Sequence, residues 1–258
     1  MKTIKYYSLM LCSTFIIYAA NAQQEYKIAT DNTKDGKLVL SNFSGDFPIE
    51  GYNGNEIIIS GINTKTPERA KGLKAVYASG TDNTGLGLSV EKDGNNINVA
   101  YLPSFTQKAN FKIKVPQNLA LKIESGCEKQ DSIHIKDMKS ELEINNCHSI
   151  DLVNVSGPLV LSTVSGDINV IINNISGNKP SSITTISGDV DVTLPATAAV
   201  NLEMKTTTGK IYSDFVFETP KKNVESADNN EIKTKLNGGG SDLKISDISG
   251  NIYLRKAK

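Results

Sequence analysis

Residues 159–170 read LVLSTVSGDINV. Leu159, Leu161 and Thr163 alternate with Val160, Ser162 and Val164; Ser165-Gly166-Asp167 interrupts; Ile168 and Val170 then resume the alternation. Period-two alternation marks a strand with one buried face. A glycine between two such runs marks a sharp turn. Ser-Gly-Asp also sits inside LVLSNFSGDFPI around Gly45 and SITTISGDVDV around Gly188. A repeated site and a repeated corner look alike at this level, so the wider pattern has to decide.

The inward frame Leu159, Leu161, Thr163, Ser165 before Gly166 recurs along the chain. It reads Leu38, Leu40, Asn42, Ser44 before Gly45, and Leu119, Leu121, Ile123, Ser125 before Gly126. It returns as Ser181, Ile183, Thr185, Ser187 before Gly188, and as Leu202, Met204, Thr206, Thr208 before Gly209. Leu243, Ile245, Asp247 and Ser249 precede Gly250, and a weaker copy, Leu142, Ile144, Asn146, ends at Cys147 in place of glycine. From Gly126 the steps are 21, 19, 22, 21 and 41, and the 205 residues from Gly45 to Gly250 divide into ten periods of 20.5.

A unit of this length cannot bury its apolar face alone, so neighbours must stack. The pattern predicts an all-β parallel β-helix, a β-solenoid with coils of 20–21 residues stacked at about 4.8 Å and wound right-handed by the chirality of parallel crossovers. A β-sandwich also has short strands with frequent turns, but it does not require side-chain identity at a fixed period. Two stretches break the rhythm and read as insertions, residues 63–87 and 218–241. The corner glycines Gly45, Gly126, Gly166, Gly188, Gly209 and Gly250 are expected to supply positive φ.

The first 22 residues read as a cleaved secretory signal: Lys2 and Lys5, then an apolar run, then Ala20-Asn21-Ala22. Leu11 before Cys12 is the wrong neighbour for a lipid-modified cysteine. The mature chain, 23–258, is expected to form a single solenoid domain in the periplasm, on the outer surface or in the medium. Without the two signal lysines, 26 basic residues face 28 acidic ones, a net charge of −2. That balance offers no field for a nucleic acid. No run after the signal is long enough to span a membrane as a helix, and the sequence leaves the oligomeric state open.

The "SGD" units, TTTGKIYSDF and the ending LNGGGSDLKISDISGNIYLRK are similar to a bacterial putative-adhesin family of β-strand-repeat proteins, built on a domain of unknown function. The resemblance covers residues 36–258. It implies an exported β-helical domain, named an adhesin by analogy, and no established chemistry.

Candidate sites are few. Asp46, Asp167 and Asp189 follow the corner glycine, where Lys210 and Asn251 stand in other repeats. Stacked carboxylates repel, so Asp167 and Asp189 should face solvent with Lys210 one coil on. Calcium held with Asp191 or Asn169 is the sharper alternative, but the lysine interrupts the column. NGGGSDLKI departs from a tandem calcium-binding nonapeptide by the placement of Asp242. Cys127 and Cys147 are 20 residues apart, one coil, a spacing that suits a disulfide in an exported chain. His134 and His148, the only histidines, have no partners at metal or triad spacing. No cofactor motif is present.

Tyr212 and Tyr253 share one repeat position with outward parity and are expected two coils apart, as a ligand face for a glycan or an envelope protein. The leading expectation is a non-catalytic exported binding or scaffold protein. The alternatives are a β-helix carbohydrate-active enzyme using Asp167, Asp189 and Asp191, or a periplasmic partner in envelope-stress signalling that binds through residues 63–87.

Overall fold

The computed structural model describes residues 24–30, 35–61, 67–73, 75–104, 108–124, 126–127, 132–175, 179–217 and 230–258. The expected signal segment 1–22, Ser125, and residues 63–66, 74 and 218–229 of the two expected insertions lie outside them.

Alternating apolar residues give strands, and the strands assemble into two long sheets that share one core. Each repeat sends one strand to each sheet: Leu159–Ser165 to one and Ile168–Asn174 to the other, with Gly166 between. Among the described residues nine strands of one sheet, counting the two-residue Gly45–Asp46, and eight of the other run parallel. Antiparallel strands finish the ends: Gln24–Ala29, Glu56–Gly61 and Leu88–Asp93 at one, Glu231–Leu236 at the other. A short 3-10 turn at Glu68–Ala70 is the one helical element among the described residues.

In-register pairing turns the sequence parity into columns. Val99, Leu40, Ile123, Ile144, Leu161, Ile183, Ile245 and Met204 stack through the core of one sheet, and each is at most 1% exposed. Ile135, Leu152, Val170, Val192 and Leu254 do the same opposite. Each buried Leu or Ile of this kind contributes about 1.5–3 kcal/mol of transfer energy.

The stacking order differs from chain order at both ends. The last coil, Ser241–Ser249 and Ile252–Lys256, lies between the coil of Ser181–Leu194 and that of Val200–Ser213. Lys37–Ser41 likewise lies between Asn96–Tyr101 and Ala120–Glu124. The 41-residue step is therefore one coil, a cap strand and a return into the stack, which replaces the expected ten successive coils. Two frame assignments also change. Gly166 packs on Ser149, so Ser149 is that coil's corner; Cys147 falls two residues earlier, in line with Gly126, which is not a corner of the Gly166 type. The inward frame ends one position sooner than expected: Thr163, Thr185 and Thr206 are buried, while Ser165, Ser187 and Thr208 are exposed.

Candidate functional site

The corner row is fully engaged with the backbone. The N–H of Asp167 donates to Ser149 Oγ (3.2 Å), that of Asp189 to Asp167 Oδ1 (2.8 Å), that of Asn251 to Asp189 Oδ1 (2.8 Å) and that of Lys210 to Asn251 Oδ1 (3.0 Å). Each corner side chain thus holds the turn of the next coil. Asn251, rather than Lys210, is the neighbour of Asp189. The glycine requirement is mostly one of space. A Cβ on Gly209 would overlap the Gly250 carbonyl, and one on Gly188 the Gly166 carbonyl. Only some corners also need positive φ, as at Gly188 (φ 140°).

Just inside the corner runs a buried polar column: Asn146, Thr163, Thr185, Asp247 and Thr206. Thr163 donates to the His148 carbonyl (2.8 Å), Thr185 to Gly166 (3.3 Å) and Thr206 to Gly250 (2.9 Å). Asp247, 3% exposed, accepts from the Ser249 N–H (3.1 Å) and the Thr206 hydroxyl (3.4 Å). Burial pushes its carboxyl above the usual range, against the hydrogen bonds it accepts.

Cys127 and Cys147 stand with Cα atoms 5.0 Å apart, joined through their sulfurs across adjacent coils. His134 is exposed and its Nδ1 lies 3.2 Å from an Asp151 oxygen. Among the described residues no group of three or more His, Cys, Asp or Glu side chains converges as metal ligands would. NGGGSDLKI forms a turn in which Gly238 and Gly239 take φ of 86° and 83°, and Asn237 donates to the Ala196 and Ala198 carbonyls (3.0 and 2.9 Å). In the first irregular stretch, Asp82 is buried and accepts from the N–H groups of Thr84, Gly85 and Gly87 and from the Thr84 hydroxyl. That loop braces itself, with Leu86 in the core.

The outer face of the second sheet carries a different row. His134, Asp151, Asn169, Asp191, Tyr253 and Tyr212 are register partners on successive strands. Asn169 donates to Asp151 (2.8 Å). Because the last coil is threaded back, Tyr212 and Tyr253 are adjacent rather than two coils apart. Their rings stack, with centroids 5.3 Å apart and planes at 10°. Arg255, two residues beyond Tyr253, lies over that ring at 5.5 Å and holds Asp191 by Nε–H bonds of 2.8 Å to both oxygens. The Asp191 carboxylate raises the Arg255 pKa further.

Ile211–Ser213 is the last strand of its sheet among the described residues, so the face of the Tyr212 ring opposite Tyr253 is turned from the paired strands. Tyr212 is 47% exposed. Sequence reasoning named both tyrosines and Asp191 but did not join His134 and Asp151 to them in one row, and it missed Arg255 beside that row. Arg255 was findable in principle, since it keeps the outward parity of Tyr253.

A family profile described as Toastrack DUF4097 matches residues 19–255. No curated protein matches. Among solved structures, a "putative cell adhesion protein" from Clostridium sporogenes is 11% identical, covering 91% of this chain and 100% of that chain at a TM-score of 0.47. A "putative adhesin" from Bacteroides fragilis is 10% identical, covering 92% and 98% at 0.36. A "putative lipid binding protein" from Parabacteroides distasonis is 13% identical, covering 92% and 98% at 0.38.

Proposed function

The chain belongs to the Toastrack DUF4097 family, and we propose that this member is a non-catalytic exported binding protein whose outer sheet face takes a glycan at Tyr212. The observation that carries the reading is the stack Asp191–Arg255–Tyr253–Tyr212, ending in a free ring face on an edge strand. A sugar presents a C–H face that packs on an aromatic ring, and Tyr adds a hydroxyl at the rim. Stacking on Tyr253 fixes the Tyr212 ring before any ligand arrives, which lowers the ordering cost of binding. Asn169, Asp151 and His134 continue the row with donors and acceptors for sugar hydroxyls.

Catalysis by the clustered acids has less support. A glycosidase pair needs two carboxyls free to face one bond. Asp167 and Asp189 are occupied by corner N–H groups and Asp191 by Arg255. Export is supported by the basic, apolar, Ala-x-Ala start of the chain and suits a cystine between coils. No helix among the described residues is long and apolar enough to cross a membrane.

The test is a glycan array probed with the mature protein, with and without calcium. Binding of one glycan class, insensitive to calcium and lost in Tyr212→Ala, is the expected result. Turnover of an acidic polysaccharide with no glycan retained would replace this reading with the enzymatic one.

A further inference from the structure

The sheet that does not carry Tyr212 has an outer face of its own, and its charges follow an order. Across successive strands one outward row reads Lys122, Glu143, Val160, Ser182, Lys244, Glu203. The next row, two residues on, reads Glu124, Asn145, Ser162, Thr184, Ser246, Lys205. The middle strands, Leu159–Ser165 and Ser181–Ser187, turn no charge outward. At equal distances on either side of them the signs are opposite. Glu143 on one side answers Lys244 on the other, Lys122 answers Glu203, and Glu124 answers Lys205.

The uncharged middle is apolar toward the corner. Val164, Ile186 and Ile248 fall in line there. They are 43%, 47% and 51% exposed, and Val160 is 42% exposed. Exposed apolar side chains grouped within a polar rim mark a contact surface.

A second copy satisfies both features. Let a two-fold axis lie in the face, along the strands and midway between the two middle ones. Strand direction is kept and stacking order is reversed. Val160 then faces Ser182, Ser162 faces Thr184 and Val164 faces Ile186. At the flanks Glu143 faces Lys244, Lys122 faces Glu203 and Glu124 faces Lys205. Each contact occurs twice, as an isologous interface requires. An axis moved onto Ser181–Ser187 would set Glu143 against Glu203 and Lys122 against Lys233, so like charges exclude that register.

Ion pairs within each copy do not oppose this contact. Lys122 lies 2.9 Å from Glu143 and 3.0 Å from Glu124, and Lys244 lies 3.1 Å from Glu203. These pairs link neighbours on one face. An ammonium has three donors and a carboxylate about four acceptor positions, so a facing copy adds a second opposite charge to each group. Six strands at about 4.8 Å by four rows at about 6.6 Å give a face of about 29 by 20 Å. Two such faces bury about 1,200 Å² together, the lower end of the range for specific interfaces.

We propose that this protein forms a closed two-fold dimer, in which the outer faces of Leu159–Ser165 and Ser181–Ser187 pack on the same strands of a second copy. The Tyr212 row lies on the other sheet and stays open, so the dimer does not depend on the glycan reading.

The experiment is sedimentation velocity of the mature chain from about 1 to 500 µM. Monomer and dimer are expected with nothing larger, and high salt should weaken the dimer. Ile186→Lys, at an exposed position, should weaken it at least tenfold. Glu143→Lys and Lys244→Glu should each do the same alone, because like charges then meet twice. Mixed in equal amounts, these two variants should dimerise as wild type does, because the reversed charges meet each other and the unreversed ones do too. Circular dichroism and thermal unfolding check that each variant folds, and Ile186→Lys alone decides the matter if a reversal impairs folding. Tyr212→Ala should lose the glycan and keep the dimer, which separates a failure of pairing from a failure of glycan binding. A wild-type chain that stays monomeric throughout would overturn the proposal. So would a dimer unmoved by all three changes, or two folded reversals that do not recover on mixing.

Discussion

Two rows of polar residues repeat at the same spacing on this solenoid, and only one is spent on the backbone. In the corner row, Asp167, Asp189 and Asn251 each accept the backbone N–H of the next coil. In the outer row, Asp191, Tyr253 and Tyr212 meet only side chains in the contacts that define them. A repeated Ser-Gly-Asp is therefore fold chemistry, and the less regular Tyr-x-Arg beside it is surface chemistry. Repetition alone does not mark a site. What marks one is polar and aromatic surface that the backbone leaves unspent.

The comparison can be broken most forcefully at a corner. Gly188→Ala places a Cβ against the Gly166 carbonyl at a φ of 140°. It should cost about 3 kcal/mol or more, since strain and a backbone clash combine. Denaturant unfolding measures it, and a loss below the level of an ordinary surface change would mean the corners are looser than described.

Reducing the link between Cys127 and Cys147 should come next. A loop of 20 residues corresponds to about 3 kcal/mol in the chain-entropy account. Thermal unfolding with and without reductant reads the difference. Two titratable thiols in the native protein would show that the link does not form.

Asp189 separates geometry from charge. Asp189→Ala leaves the Asn251 N–H without its acceptor and should cost about 1–2 kcal/mol. Asp189→Asn keeps an oxygen there and should cost much less. Equal losses would point to a need for the carboxylate itself, as a cation site would require.

The smallest effect has the opposite sign. Asp247 occupies a position held by threonines in neighbouring coils, and burial raises its carboxyl pKa in the fold. The folded state then holds the proton more tightly than the unfolded one. Stability from the neutral form is complete below the ordinary carboxylate range and is lost as pH rises through the folded value. Asp247→Thr, which can donate to a corner carbonyl as its neighbours do, should stabilise the protein at pH 7 by about 1 kcal/mol. It should also flatten the fall in stability above the ordinary carboxylate range. An unchanged pH profile would show that Asp247 is not the group responsible.

Much of the fold was legible because in-register parallel stacking repeats side-chain identity: Leu40, Leu161 and Ile183 share a frame position in sequence and a column in space, which Ile123 and Ile144 join once their frame is moved by two residues. The order of the coils was not legible. Leu243 and Ile245 present the same frame to any neighbour, so parity cannot show that they enter between Ile183 and Met204. That insertion alone converts two distant tyrosines into a stacked pair. The role of the corner aspartates was hidden for a related reason. Parity says that Asp167 points outward, but not that it reaches the N–H of Asp189.

The measurement closest to the centre of this account is isothermal titration of the array-selected glycan into four proteins: wild type, Tyr212→Ala, Tyr253→Ala and Asp189→Asn. Loss of affinity by tenfold or more in both tyrosine variants, with Asp189→Asn binding as wild type, is the predicted result. Binding that survives both tyrosine changes and disappears in Asp189→Asn would place the site in the corner row and contradict the account.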